Sequence, residues 1–304
     1  MSDVDPGRRR LVEAGLATAV GLGLAACGST PGRPKSKSKA AGAASTTHRY
    51  GDDPNQVGDL YLPSPKGART SAPVPVVVLV HGGFWLDQYG RDLMVDLAAD
   101  VARRGWAAWN IEYRRVGQAG GGWPGTFADV AEAVDQVATL DGGATPLDTA
   151  RVAVVGHSAG GQLAAWVAGR SKLPASAPGG PAKIEPIAVV SQAGVLDLVG
   201  AANEGIGGGA VEDVMGGSPD EVPGRYALGS PLARLPLGVA IRCIHGRQDS
   251  NVPFAQSERY VASAQAAGDD ATLAAFDGDH FAVLDPTGES WIGAVAWLAK
   301  RFGA

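Results

Sequence analysis

The stretch RVAVVGHSAGGQLAAWVAGR, residues 151–170, combines an apolar run, a Ser flanked by small residues and a second apolar segment. The run that ends at Gly156 predicts a buried strand, and the segment that follows Gly160 predicts a helix. Ser158 is thereby predicted at a tight strand-to-helix turn, where Gly156 and Gly160 avoid a clash of Cβ atoms with the crowded backbone. The N–H groups at the start of the helix favour a developing negative charge, so we interpret Ser158 as a candidate nucleophile.

Around this stretch, short apolar runs alternate with segments of helical periodicity. We predict strands at 73–83, 106–113, 151–156, 185–192, 239–246 and 271–278, and an edge strand at 56–63. Continuous apolar strands between amphipathic helices predict an α/β fold, with a mostly parallel sheet covered by helices on both faces. The stretch before Pro73 is too short for a large cap, and the Gly-rich segment 193–236 predicts a mobile flap.

Two further strand ends supply partners for Ser158. Asp249 follows the run at 239–246, and His280 follows the run at 271–278. A Ser hydroxyl is a weak nucleophile unless an imidazole takes its proton, and that imidazole needs a carboxylate to fix its tautomer. We therefore predict a triad of Ser158, Asp249 and His280. The rival carboxylates are Asp197, which follows an earlier strand, and Asp277 and Asp279, which are too close to His280 in sequence.

The run at 73–83 ends in HGGFW, where glycines free backbone N–H groups to point at an oxyanion. We predict an oxyanion hole formed by the N–H groups of Gly83, Phe84 and Ala159. The side chains of Phe84, Trp85 and Trp123 are candidates for a substrate pocket, with ordinary packing as the open alternative.

The remaining histidines and the cysteines suggest supporting roles. His81 and His157 lie inside motifs and are interpreted as structural, and His245 as packed or hydrogen-bonded at a strand end. Cys243 lies in an apolar run and is predicted to be buried. No paired Cys or His spacing suggests a metal site, and no cofactor is predicted. Residues 1–47 have a net charge of +4 and the remainder −9, which argues against nucleic-acid binding.

From about residue 50 onward the chain resembles the α/β-hydrolase fold superfamily, with GHSAG, HGGFW, GRQDSNVP and DGDHF in family order. Within it, the chain resembles an esterase branch that includes kynurenine formamidases and feruloyl- or acetylxylan-type esterases. The resemblance implies hydrolysis of short-chain or aryl carboxylic esters, with a small-molecule ester as partner. The alternatives are an amide hydrolase (an arylformamidase or small-peptide hydrolase) and an inactive hydrolase-fold binding module, against which the complete triad argues.

The N-terminal segment RRRLVEAGLATAVGLGLAAC resembles a bacterial lipoprotein signal, with a basic region, a short apolar region and a Cys after small residues. We predict a signal peptide at 1–26, lipidation of Cys27, a flexible tether at 27–47 and a catalytic domain at 48–304. The protein is thus expected to be exported and anchored by lipid on the outer face of a bacterial cell membrane. The export route, Sec or twin-arginine, is left open.

Overall fold

The computed structural model describes residues 44–63 and 72–303, which contain one eight-stranded sheet. Its strands are β1 (Ser45–Arg49), β2 (Val57–Tyr61), β3 (Val74–Val80), β4 (Ala107–Ile111), β5 (Leu147–His157), β6 (Ala188–Gln192), β7 (Ala240–Gly246) and β8 (Ala271–Phe276). They lie in the order β1-β2-β4-β3-β5-β6-β7-β8. The pairs β1–β2 and β2–β4 are antiparallel and the five other pairs are parallel, so the predicted mostly parallel sheet is confirmed.

The first strand is the one that the sequence analysis did not predict. Its residues, STTHR, are polar and largely exposed, so β1 has no apolar run to reveal it. It pairs antiparallel with β2 and therefore forms the edge of the sheet, which corrects the prediction that 56–63 is an edge strand. It begins at Ser45, inside the segment predicted to be tether.

Helices cover both faces of the sheet, as predicted. They are α1 (Val95–Arg103), α2 (Gly125–Asp135), α3 (Ala159–Ala168), α4 (Leu198–Asn203), α5 (Ala210–Met215), α6 (Pro223–Gly229), α7 (Ala255–Ala266) and α8 (Glu289–Phe302). Residues of α2, α3 and α7 belong to the same buried cluster as Val76 and Val78 of β3, while residues of α1 and α8 belong to the cluster of Val77 and Leu79. Successive side chains of a strand point to opposite faces, so the unbroken Val-rich sequence of β3 fits a strand buried on both sides.

The segment 193–236 differs from the predicted flap. It contains α4, α5 and α6, whose side chains at Leu198, Val211 and Tyr226 are buried in the same core as the sheet. The indole N–H of Trp166 in α3 also donates to the Leu228 carbonyl, at 3.0 Å. Helices of six or seven residues make fewer than two turns, so their periodicity is too short to detect in a Gly-rich sequence.

The predictions for the N-terminal segment lie outside the described residues, among them the signal peptide at 1–26 and the lipidation of Cys27. Within the part of the chain that the structure describes, no helix combines the length and the apolar character needed to cross a membrane.

The parallel strands bring the predicted site residues to one edge of the sheet. Gly82 follows β3, Ser158 follows β5, Asp249 follows β7 and His280 follows β8. The carboxyl ends of parallel strands meet at the same edge, which is where open α/β sheets bind ligands.

Candidate active site

The turn after β5 holds Ser158 in a strained backbone conformation with a positive φ, at φ 56° and ψ −121°. This conformation is rare for a residue with a Cβ and is maintained only where the surroundings enforce it. A Cβ on Gly156 would overlap the carbonyl oxygen of Gly160, and a Cβ on Gly160 would overlap the carbonyl oxygens of Val80 and His81. The turn therefore requires both glycines, for the steric reason that the sequence predicted.

The loop after β3 approaches this turn equally closely. Three consecutive residues have positive φ: Gly83 at 117°, Phe84 at 52° and Trp85 at 56°. A Cβ on Gly82 would lie 2.9 Å from the Cβ of Ser158 and 2.8 Å from the His157 carbonyl oxygen. The two backbones thus face each other with no room for a side chain at Gly82.

The backbone N–H groups of Gly83, Phe84 and Ala159 are the predicted oxyanion donors. None of them donates a hydrogen bond to another residue in the described ranges. Ala159 is the first residue of α3, where N–H groups have no partner within the helix and favour negative charge. Gly83 and Phe84 line the same pocket as Ser158. All three N–H groups thus have no acceptor among the described residues, as the predicted role requires.

His280 and Asp249 form a close pair. The Nδ1–H of His280 donates to Oδ2 of Asp249 at 2.6 Å, and both side chains are almost completely buried. This bond fixes the proton on Nδ1 and leaves Nε2 with a free lone pair. Burial opposes ionisation of Asp249, but the hydrogen bonds from His245 and His280 outweigh it and hold the pKa of that carboxyl well below its usual range.

Asp249 accepts further hydrogen bonds that fix its orientation. Its Oδ1 accepts from the backbone N–H groups of Asn251 and Val252, each at 2.8 Å. The Nε2 of His245 lies 3.1 Å from Oδ2 of Asp249, and its Nδ1 lies 2.8 Å from the Ser257 hydroxyl. His245 was interpreted only as packed or hydrogen-bonded, and its contact with Asp249 was not predicted. The position of His245, four residues before Asp249 in the sequence, is the signal from which this contact could have been predicted.

The rival carboxylates lie in other arrangements. Asp197 is the N-cap of α4, where its side chain accepts from the N–H of Gly200 at 2.9 Å. Asp279 accepts from the N–H groups of Phe281 and Ala282. For Asp277, no hydrogen bond to His280 is found within the described ranges. The structure thus places Asp249, and none of its rivals, against the His280 ring.

His157 supports His280 from the adjacent turn. Its Nε2–H donates to the carbonyl of His280 at 3.0 Å, because a carbonyl oxygen only accepts. Burial, followed by repulsion from His280, lowers the pKa of His157 to about 3. His157 is therefore neutral near neutral pH and positions the backbone of His280, which agrees with its interpretation as structural.

Ser158 and His280 line one pocket, whose empty volume is about 290 Å³ with the open solvent at its mouth included. Its walls are formed by Gly83, Phe84, Tyr89, Leu93, His157, Ser158, Asn251, His280 and Phe281. The hydroxyl of Ser158 makes no hydrogen bond to another described residue. The predicted proton transfer would require Ser158 and His280 to come within hydrogen-bond distance when substrate binds, as is common for catalytic hydrogen bonds in unliganded sites.

The predicted pocket tryptophans lie elsewhere. Trp85 is fully buried in the core, and its indole N–H donates to Oε1 of Gln162 at 3.1 Å. Trp123 packs edge-to-face against Phe127, with ring centroids 4.9 Å apart. Neither side chain lines the pocket beside Ser158. For both residues, the alternative of ordinary packing applies. The aromatic walls come instead from Phe84, Tyr89 and Phe281, and the last two were missed.

Neither a metal site nor a reactive thiol is found among the residues that the structure describes. Within residues 44–63 and 72–303, no group of three or more His, Cys, Asp or Glu side chains could hold a metal ion. Cys243 is buried in β7, as predicted, and burial raises the pKa of its thiol to about 12.

Comparison with known proteins identifies the family to which this chain is similar. The family model described as BD-FAE matches residues 59–263. Esterase LipQ of Mycobacterium tuberculosis is 29% identical over 206 residues, which are 64% of this chain and 46% of that protein. Esterase LipC of the same organism is 33% identical over 119 residues, or 38% of this chain and 27% of that protein. The chain thus spans less than half the length of these two relatives.

Solved structures establish the fold. A structure titled as a truncated form of carbohydrate esterase from gut microbiota superposes with a TM-score of 0.72 at 21% identity, covering 87% of this chain and 99% of that one. The predicted α/β-hydrolase fold is thereby confirmed.

Proposed function

The chain belongs to the BD-FAE family, and from this membership and the site geometry we propose that it is a serine hydrolase of short-chain or aryl carboxylic esters. The observation that supports the proposal most strongly is the pair of His280 and Asp249, 2.6 Å apart, in one pocket with Ser158 on its strained turn. Both curated relatives are named esterases, which agrees with this reaction type.

In the first half of the proposed reaction, Ser158 Oγ attacks the acyl carbon while His280 Nε2 takes the hydroxyl proton. The resulting imidazolium is stabilised by the ionised Asp249, whose pKa is held low by its hydrogen-bond donors. The carbonyl oxygen becomes an oxyanion, which the N–H groups of Gly83, Phe84 and Ala159 stabilise. When this intermediate collapses, the C–O bond to the alcohol breaks and His280 returns the proton to the leaving alkoxide.

In the second half, water replaces the alcohol. His280 takes a proton from water as its oxygen attacks the acyl-enzyme, and the oxyanion forms again at the same N–H groups. Collapse breaks the bond to Ser158 Oγ, which recovers its proton from His280, and the carboxylic acid leaves. No cofactor is needed to balance either half.

The pocket supports a small acyl or aryl group. Phe84, Tyr89, Leu93 and Phe281 supply aromatic and aliphatic walls beside Ser158. A long acyl chain would extend beyond these walls, where each additional CH₂ is incompletely buried and contributes less than about 0.8 kcal/mol.

The proposal is tested with a fluorophosphonate probe and a series of p-nitrophenyl esters from acetate to palmitate, together with an aryl formamide. We expect probe labelling at Ser158 and the highest kcat/KM between acetate and butyrate. A protein that reacts with neither probe nor esters would be a binding module. Faster cleavage of the formamide would indicate an amide hydrolase.

We also propose that the protein is exported and anchored by lipid on Cys27 at the outer face of a bacterial cell membrane. The support is the sequence of residues 8–27, in which a Cys follows a basic and then an apolar segment. Labelled fatty acid should enter the wild-type protein and not the C27A variant, and C27A should leave the membrane fraction. Absence of label in the wild type would exclude this anchor.

A further inference from the structure

The loop at residues 81–85 has most of its carbonyl groups bonded. The His81 carbonyl accepts from the Tyr113 hydroxyl at 2.9 Å, and the Gly82 carbonyl lies 2.7 Å from Nδ1 of His81. The Gly83 carbonyl accepts from the N–H of Leu86, and the Trp85 carbonyl from the N–H of Val116, each at 2.9 Å. Four carbonyls of this loop are thus held by the protein, while the N–H groups of Gly83 and Phe84 have no acceptor among the described residues.

Both ring nitrogens of His81 lie within hydrogen-bond distance of an oxygen atom. Its Nδ1 faces the Gly82 carbonyl and its Nε2 lies 2.7 Å from Oε1 of Glu112, and both of these oxygens are acceptors. Only the doubly protonated ring can donate both bonds. The ring is completely buried and stacks on Tyr113 with centroids 4.3 Å apart, so its charge requires a partner within the protein.

Glu112 is held in the ionised form that this charge requires. Burial opposes its ionisation, but His81 and then Arg115 outweigh that effect and lower the pKa of Glu112 to about 2. Its Oε2 also accepts from the N–H of Arg91 at 3.1 Å. The carboxylate is thus fixed on two sides and maintains a buried ion pair with His81.

The peptide between Gly82 and Gly83 joins this pair to the active site. In a trans peptide the C=O and N–H point in opposite directions, so a donor that fixes the Gly82 carbonyl also fixes the Gly83 N–H. We propose that His81, charged by Glu112, is a positioning residue that aims the Gly83 N–H at the oxyanion formed on a Ser158-bound substrate. This inference rests on the proposed esterase function.

Replacing His81 with Asn or with Gln tests the two contacts of the His81 ring separately. Asn at position 81 can place its N–H near the site of Nδ1 and still donate to the Gly82 carbonyl. Gln reaches toward Glu112 and loses that donation. Each variant is assayed for kcat and KM with p-nitrophenyl acetate, and for the Ki of butylboronic acid, whose adduct with Ser158 is a tetrahedral anion.

We expect H81Q to lower kcat about 100-fold, comparable to the loss of one oxyanion donor, with KM changed by less than about threefold. The Ki of butylboronic acid should rise in parallel. We expect H81N to recover at least about tenfold of the lost kcat. E112Q keeps the size of the side chain, and we expect it to lower kcat about tenfold by discharging His81.

A matched control separates positioning from loss of stability. D135N disrupts another buried ion pair, Asp135 with Arg170 at 2.7 Å, neither of which lines the pocket beside Ser158. We expect it to lower the unfolding temperature and leave kcat unchanged. Equal kcat in H81N and H81Q, or a lower kcat with unchanged boronate binding, would overturn the inference. If neither His81 variant folds, E112Q decides, and wild-type kcat in E112Q would overturn it.

The inference and the proposed function fail in different ways. If wild-type protein does not hydrolyse p-nitrophenyl acetate, or S158A hydrolyses it equally fast, the esterase proposal is wrong whatever the His81 variants do. If S158A is inactive while H81Q and E112Q both retain wild-type kcat, only the positioning role of His81 is wrong.

Discussion

The turn at residues 156–161 and the loop at residues 81–85 meet at the same pocket, and each contains a buried histidine. In the turn, His157 is neutral because burial lowers its pKa to about 3. In the loop, the two nitrogens of His81 face a carbonyl and the Glu112 carboxylate, and our proposal gives this ring both protons. Under that proposal, two equally buried imidazoles differ in charge because only one of them has an anionic partner.

The two segments are also fixed by different means. The turn depends on Gly156 and Gly160, which allow backbone atoms to approach within the space of a missing Cβ. The loop depends on hydrogen bonds from Tyr113 and on the ion pair of His81 with Glu112, 31 residues apart in sequence. A constraint of the first kind is local and visible as a motif, whereas one of the second kind depends on the tertiary structure.

The largest expected effect is on the chemistry of the turn. We expect S158A to lower kcat about 10⁶-fold, because the attacking oxygen is removed. The unfolding free energy should change by less than about 0.5 kcal/mol, because the hydroxyl makes no hydrogen bond to a described residue. Turnover and urea denaturation measure the two effects. Residual activity well above the rate without enzyme would remove Ser158 as the nucleophile.

The second largest effect is expected for Asp249, which lies outside both the turn at residues 156–161 and the loop at residues 81–85. We expect D249N to lower kcat about 10⁴-fold, because an amide cannot hold the His280 tautomer as a carboxylate does. D197N is the matched control, since Asp197 caps α4 and contacts neither His280 nor Ser158. Assays of both variants at pH 7 test the assignment, and a larger loss of activity in D197N than in D249N would contradict it.

The sequence predicted what local patterns encode. Seven strands followed from apolar runs, and Ser158, Asp249 and His280 followed from their positions after three of them. The strand β1 was not predicted because its residues are polar and it is held in the sheet by pairing with β2. Tyr89 and Phe281 reach the pocket, whereas Trp85 packs into the core, and only the three-dimensional course of the loops decides which aromatic ring faces the substrate.

A smaller effect tests the steric basis of the turn. We expect G160A to lower the unfolding free energy by at least about 2 kcal/mol, because the new Cβ overlaps the carbonyls of Val80 and His81. Gly293 in α8 is the matched control, because a Cβ there meets no atom within 4 Å. G293A should instead stabilise the protein by up to about 1 kcal/mol through helix propensity. Equal unfolding free energies for the two variants would show that the turn does not need Gly160.

The smallest effect separates the two histidines by pH. The pKa of His157 is about 3 in the folded state, against an ordinary value of 6.5. Between pH 6.5 and pH 3, this histidine is therefore protonated in the unfolded chain but neutral in the folded chain. Its contribution to stability is complete above pH 6.5 and is lost as pH falls toward 3. Glu112, with its pKa lowered from 4.5 to about 2, loses its contribution only below pH 4.5. The interval from pH 6.5 to 5 therefore reports the His157 of the turn and not the Glu112 of the loop.

Urea denaturation at pH 7 and pH 5 measures this difference. Over the 1.5 units below 6.5, His157 should account for a loss of about 2 kcal/mol in the unfolding free energy. H157Q is the matched variant, because its amide can still donate to the His280 carbonyl from the position of Nε2 but does not titrate. We expect the loss between the two pH values to shrink by about 2 kcal/mol in H157Q. If the variant loses as much stability as the wild type, His157 is not the buried neutral group that the structure indicates, and the contrast with His81 disappears.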